Sequence, residues 1–199
     1  MSRIRIMLGA AALASALVAP AHANLVPGRP VVVKHNDVLV TVEFISANPD
    51  FVGNLYFLGS GDRSHVLTAA PDTDSNGLGQ FLFNNESAIA GSMVQLQLEG
   101  TFHAGDKLHF AFSLVNPVPP DDGIFQSYQQ GERKQFAYNQ QTKRLGVDDT
   151  RHGSPNFDGD YNDLVVQFHF GVVPAPGSLA LLGLGVAVMV THRRRGLTL

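Results

Sequence analysis

Three carboxylates and one amide crowd into the stretch Asp158-Gly159-Asp160-Tyr161-Asn162-Asp163, directly ahead of Leu164-Val165-Val166-Gln167-Phe168-His169-Phe170. Charges so close repel one another unless water screens them or a hard cation gathers their oxygens. Ca²⁺ takes six to eight oxygen ligands from carboxylates, amides and carbonyls. A second acidic pair, Asp148-Asp149, lies upstream across the turn-forming segment Arg151-His152-Gly153-Ser154-Pro155-Asn156, and can complete such a shell. The candidate metal ligands are therefore Asp148, Asp149, Asp158, Asp160, Asn162 and Asp163, with calcium the expected ion. The arrangement is not an EF-hand, because Asp163 stands where that loop needs glycine and His169 where it needs a bidentate glutamate. The plainer reading is that Asp158 and Asn162 make Asx turns before a strand.

Other residues with chemical potential are scattered. Asp72-Thr73-Asp74-Ser75-Asn76-Gly77 matches the opening of a calcium loop, but Phe83 occupies its closing position, and polar hairpin loops often look alike. The eight histidines have no paired spacing, and His109 and His169 fall on the polar sides of their strand patterns, facing solvent. There is no G-x-S-x-G elbow and no cysteine, so neither a nucleophile elbow nor a thiolate site is available. Glu43, Glu86, Glu99 and Glu132 are isolated, which disfavours the facing carboxylates of a glycosidase. Tyr56, Phe125, Tyr128, Phe136 and Tyr138 either form a sugar-stacking platform or fill the core, with core expected for Phe136. The loop spanning residues 117–130 is the expected place for partner contact.

The elements that must hold these groups read as strands. Val38, Val40, Val42 and Phe44 alternate with Leu39, Thr41, Glu43 and Ile45; Val94, Leu96 and Leu98 alternate with glutamines and Glu99. The alternation is clearest at Leu108, Phe110, Phe112 and Leu114. Successive strand side chains point to opposite faces, so each run offers one apolar face to a core. Shorter strands are expected over residues 54–58, 64–68, 80–83 and 134–139. About seven or eight strands, punctuated by Gly, Pro, Asn and Asp turns, predict an all-β fold: a single antiparallel β-sandwich, jelly-roll or Ig-like.

Charged residues make up 16% of the 199-residue chain and its net charge is −3, so nothing suggests the basic surface that nucleic acid requires, and no nucleic-acid partner is expected. At the N-terminus Arg3 and Arg5 precede an apolar run ending in Ala21-His22-Ala23, the layout of a secretory signal peptide over residues 1–23. At the C-terminus an uncharged apolar stretch is followed by His192-Arg193-Arg194-Arg195. The basic cluster stays cytoplasmic by the positive-inside rule. The chain therefore divides into a signal helix, an exported β-sandwich domain over residues 24–171, and a tail over residues 172–199 with a marginal transmembrane helix.

The order Val173-Pro174-Ala175-Pro176-Gly177-Ser178, apolar segment, arginine cluster resembles the PEP-CTERM sorting signal of Gram-negative bacteria, with Ala175 where that signal usually has glutamate. The resemblance implies recognition by an exosortase, a tether to the inner membrane in transit, and delivery to the cell surface or the biofilm matrix. Asp148-Asp149, a short gap, then Asp158-Gly159-Asp160-Tyr161-Asn162-Asp163-Leu164-Val165 is similar to the end of a β-rich secreted domain of unknown function with a D-x-D-[FY]-N-D-[LIV]-V motif. That likeness implies calcium at the six residues named above, and here Asn156-Phe157 replaces the paired glycines such domains tend to carry. The function expected is a non-enzymatic, calcium-stabilised surface or matrix protein, with exopolysaccharide as a partner. The alternatives are a carbohydrate-binding module or adhesin, and a carboxylate-dependent hydrolase.

Overall fold

The computed structural model describes residues 25–98, 100–116, 123–150, 154 and 157–172. The expected signal peptide, the C-terminal segment with its basic cluster, Glu99 and residues 117–122 of the expected partner loop lie outside them. Twelve strands make two six-stranded antiparallel sheets. In chain order they are β1 (Val26–Pro27), β2 (Val31–Val32), β3 (Val38–Ser46), β4 (Gly53–Gly61), β5 (Val66–Ala69), β6 (Gln80–Asn84), β7 (Met93–Gln95), β8 (Lys107–Leu114), β9 (Ile124–Gln126), β10 (Phe136–Asn139), β11 (Arg144–Val147) and β12 (Leu164–Val172). A 3₁₀ turn, Arg133–Gln135, leads into β10. The first sheet runs β1-β10-β11-β12-β3-β7. The second runs β2-β8-β4-β5, with β6 also on β4 and β9 also on β8. The all-β, antiparallel, sandwich-like expectation holds for these residues.

Alternation explains which faces meet. Val38, Val40, Val42 and Phe44 of β3 and Leu108, Phe110, Phe112 and Leu114 of β8 are all buried in one core. The aromatic rings bridge the sheets. Phe57 on β4 lies 5.7 Å from Phe110, Phe110 lies 5.5 Å from Phe168 on β12, and Phe168 lies 6.0 Å edge-on from Tyr138 on β10. Each such side chain contributes about 1.5–3 kcal/mol by leaving water, and tilted ring pairs add to that.

Two strand expectations need correcting. The run from Val94 forms a ladder with β3 only over Met93–Gln95, although Leu96 still donates its N–H to Val40 O at 2.8 Å. Residues 134–135 belong to the 3₁₀ turn, so that strand starts at Phe136. The histidine reading also divides. His169 is partly exposed on β12, with Nε2 2.7 Å from Glu43 Oε2 on the neighbouring strand. His109, expected in solvent, is buried. Its Nε2 lies 2.8 Å from the Asp62 carbonyl, which can only accept, so Nε2 carries the proton. Its ring packs edge-on against Tyr128, which covers the outer face of β8.

An acidic strand junction as the candidate functional site

β11 and β12 pair in antiparallel register, ending at Val147 opposite Leu164. One step beyond that last pair, Asp148 and Asp163 occupy facing positions at the open end of the ladder. The 98-residue sequence separation between Phe51 and Asp149 is closed here as well, because Asp149 Oδ2 accepts the Phe51 N–H at 2.7 Å. Asp148, Asp149 and Asp163 are 0%, 1% and 7% exposed.

The segment over residues 157–163, leading into β12, lies against β11. Gly159 and Tyr161 both have left-handed backbone, at φ 69° and 56°. For tyrosine that conformation is uncommon and must be held by its surroundings. The phenol supplies one hold by donating to the Lys134 carbonyl at 3.0 Å. Gly146 supplies another, since a Cβ there would sit 2.4 Å from the Tyr161 carbonyl oxygen. The closeness of this loop to β11 brings Gly159 N–H within 3.0 Å of Asp148 Oδ2.

Each buried carboxylate is occupied by main-chain donors. Asp148 Oδ1 accepts from Thr150 N–H at 3.0 Å, and Asp163 Oδ2 accepts from Asp149 N–H at 2.7 Å. These bonds favour the charged form, but burial opposes it more strongly. Burial, reinforced by the charge of Asp158, pushes the Asp148 carboxyl up to about 7. Burial pushes Asp149 up to about 6, with Asp50 adding repulsion. Asp163 rises to about 8, through burial first and then the negative charges of Asp149, Asp148 and Asp160.

The six expected ligands thus divide. Asp148, Asp149 and Asp163 are drawn together in the interior, and Asp158 and Asp160 act on them from the loop. Asp158 is exposed, and its Oδ1 accepts from Asp160 N–H at 3.2 Å; Asp160 Oδ1 accepts from Asn162 N–H at 3.0 Å. Those are the Asx-type steps of the plainer reading. The Asn162 amide also donates to Asp160 Oδ2, while Asn162 Oδ1 is buried with no hydrogen-bond partner. Among the described residues no group of three or more His, Asp or Glu side chains is arranged to hold a metal ion. The donor types nonetheless suit a hard cation: three buried carboxylates and one orphaned amide oxygen.

Several participants were not foreseen. Asp50 and the Phe51 N–H come from a segment that reads only as an Asn-Pro-Asp turn. Asn85, buried at 4% exposure, fixes that segment by accepting from Gly53 N–H and donating to Phe51 O, both at 2.9 Å. The second calcium-like loop closes on itself instead. Asp72 Oδ2 accepts from Gly77 N–H at 2.7 Å, and Asp74 Oδ2 accepts from Tyr56 OH at 3.0 Å. The aromatic platform resolves to core for Tyr56, Phe125, Phe136 and Tyr138, which are all buried.

The segment that follows β12 is decided by comparison. Residues 172–195 match the PEP-CTERM protein-sorting motif. The chain carries an exosortase sorting signal. The PEP-CTERM motif marks it as an exported protein bound for the surface of a Gram-negative cell, with exosortase-type machinery as its processing partner. No curated protein and no solved structure matches the chain. Among the described residues no helix is long and apolar enough to cross a membrane, and the tail expected to do so lies outside them.

Proposed function

We propose that the exported domain, over residues 24–171 between a cleaved signal peptide and the PEP-CTERM tail, is a non-enzymatic structural protein of the cell surface or biofilm matrix. In this reading the acidic junction fixes the last strand before the sorting signal and is neutralised by calcium. The observation that carries it is the burial of Asp148, Asp149 and Asp163 at one strand end, beside an Asn162 Oδ1 that lacks any partner. Uncompensated carboxylates in a low-dielectric site cost several kcal/mol each unless a proton or a cation neutralises them.

Asp148, Asp149, Asp163 and Asn162 would hold the ion, with Asp158 and Asp160 closing the solvent side. Bound calcium would supply positive charge and no reaction chemistry. The chain's own residues do the remaining work: Asp149 ties the Phe51 segment to β11, and Asp148 ties the 157–163 loop to the same place. Thermal unfolding of the protein in millimolar calcium against chelator tests the reading. A native-only ligand at 100 times its Kd adds about 2.7 kcal/mol. A midpoint that rises in calcium supports it, and one that does not move overturns it.

A second reading is favoured by the burial itself. Because burial outweighs the main-chain N–H donors and raises Asp149, Asp148 and Asp163 to about 6, 7 and 8, protons can neutralise the junction in place of a metal. The structural role is the same, but the stabiliser is acid.

A further inference from the structure

A pocket of about 390 Å³ opens at the opposite end of β12, lined by Arg29, Pro30, Val32, Lys34, Tyr138 and Phe170 together with His35, Gln140 and Lys143. Seven β-strand steps separate Asp163 from Phe170, or roughly 20 Å, so the pocket is distinct from the acidic junction. Its chemistry is the reverse. Three permanent cations line it in a chain whose net charge is −3, and among the described residues no carboxylate does. The salt bridges among the described residues are those of His65, His103 and His169, so Arg29, Lys34 and Lys143 are not neutralised by an acid there.

The cations are placed, not merely present. Lys143 adopts a left-handed backbone at φ 57°, a conformation that is costly for lysine and is found where surroundings impose it. The imposing contacts are visible. Phe168 N–H donates to the Lys143 carbonyl at 2.9 Å, and Asn139 Oδ1 closes the β10–β11 turn by accepting from Gln141 and Thr142 N–H. That backbone sets the Lys143 ammonium 5.8 Å from the centre of the Phe170 ring. Arg29 is oriented by donating to Gln140 Oε1 at 2.9 Å, which leaves its remaining donors for a ligand. Small-molecule sites of this size combine an apolar wall with a few fixed polar groups. Here Phe170, Pro30, Val32 and the edge of Tyr138 form the wall, and a guanidinium and two ammonium groups ring it.

We infer that this pocket binds a small organic anion, a carboxylate carried on a ring-sized body. Arg29 receives the carboxylate through its planar fork, Lys34 and Lys143 add charge from two other elements, and the ring lies against Phe170. Such a ligand is either a sugar acid or an aromatic acid, and these share the same two requirements. The inference is independent of the calcium reading.

The test is calorimetric titration of the full-length protein in detergent with glucuronate and with benzoate, using glucose, acetate and inorganic phosphate as controls. Binding of glucuronate or benzoate about tenfold tighter than all three controls is expected, and the better of the two identifies the source. Arg29→Gln and Lys143→Asn should each weaken it about fivefold or more, at an unchanged unfolding midpoint, since asparagine tolerates the left-handed backbone. Lys34→Gln, on a separate loop, should weaken it in the same direction. Glucose binding as tightly as glucuronate, phosphate or acetate matching both ring acids, or indifference to all three substitutions overturns the assignment.

Discussion

Asp163 accepts the main-chain N–H of Asp149 through Oδ2 at 2.7 Å, so one buried acid positions the next. Asp149 in turn holds Phe51, and the three-part relay joins β12, β11 and the entry to β4 through main-chain donors. In the proposed reading, neutralising these carboxylates sets the stability of the strand end.

The first consequence is a pH dependence. Carboxyls raised from 3.8 to about 6, 7 and 8 in the folded state bind protons more tightly there than when unfolded. Their contribution is fully present below pH 3.8 and is lost as pH rises through 6 to 8. In chelator, the unfolding midpoint should fall across that interval, with other carboxylates acting only at lower pH. If calcium is the neutralising ion, its addition at pH 8 restores the midpoint, because binding needs the deprotonated ligands. A midpoint independent of pH between 5 and 8 in chelator contradicts the charged-junction account.

Asp163→Asn separates charge from hydrogen bonding. The amide oxygen can still accept the Asp149 N–H, while the negative charge is gone. In chelator at pH 8 the variant should gain about 1–3 kcal/mol over the parent and lose much of its pH dependence. Its response to calcium should shrink. Urea titrations at two pH values, with and without calcium, distinguish these effects.

Close packing at Gly146 makes a steric prediction. A methyl group there meets the Tyr161 carbonyl oxygen at 2.4 Å and Leu25 Cδ1 at 2.8 Å, so Gly146→Ala should cost about 1–3 kcal/mol by forcing the loop off β11. Gly131 has nothing within 4 Å of the same position, and Gly131→Ala should fall within about 0.5 kcal/mol of the parent. Equal denaturation midpoints for the two would remove the packing argument.

Asn85 offers a test from the far side of the junction. Its amide spans Gly53 N–H and Phe51 O, so Asn85→Ala strands two main-chain groups at a buried position and should cost about 1–3 kcal/mol. Hydrogen exchange should then quicken at the Phe51 amide that Asp149 accepts. Unaltered exchange there would mean that Asp149 alone holds the segment.

The period-2 strands were readable because β3 carries Val38, Val40, Val42 and Phe44, and β8 carries Leu108, Phe110, Phe112 and Leu114, at every second position. β11 was not, for it is four residues long, carries Gly146 at its centre and is a strand by virtue of its neighbours β10 and β12. His109 misled because alternation assumes one wet face, whereas Tyr128 and the Asp62 carbonyl cover the outside of β8. The acidic residues were legible as a set. Their unequal burial was not, since it depends on Phe51 arriving from a distant part of the chain, which no local pattern records. The cationic pocket escaped for the same reason, being assembled from the β2 region, the β10–β11 turn and the end of β12.

The sorting motif begins at residue 172, the residue with which β12 ends, and β12 is in register with β3 from Val165 to Val172 but with β11 only from Leu164 to Gln167. Traction on the tail along the strand axis therefore falls first on the β3 ladder. Its rungs lie across the pull and share the load, while the β11 ladder and the acidic junction beyond it sit at the sheltered end of the strand.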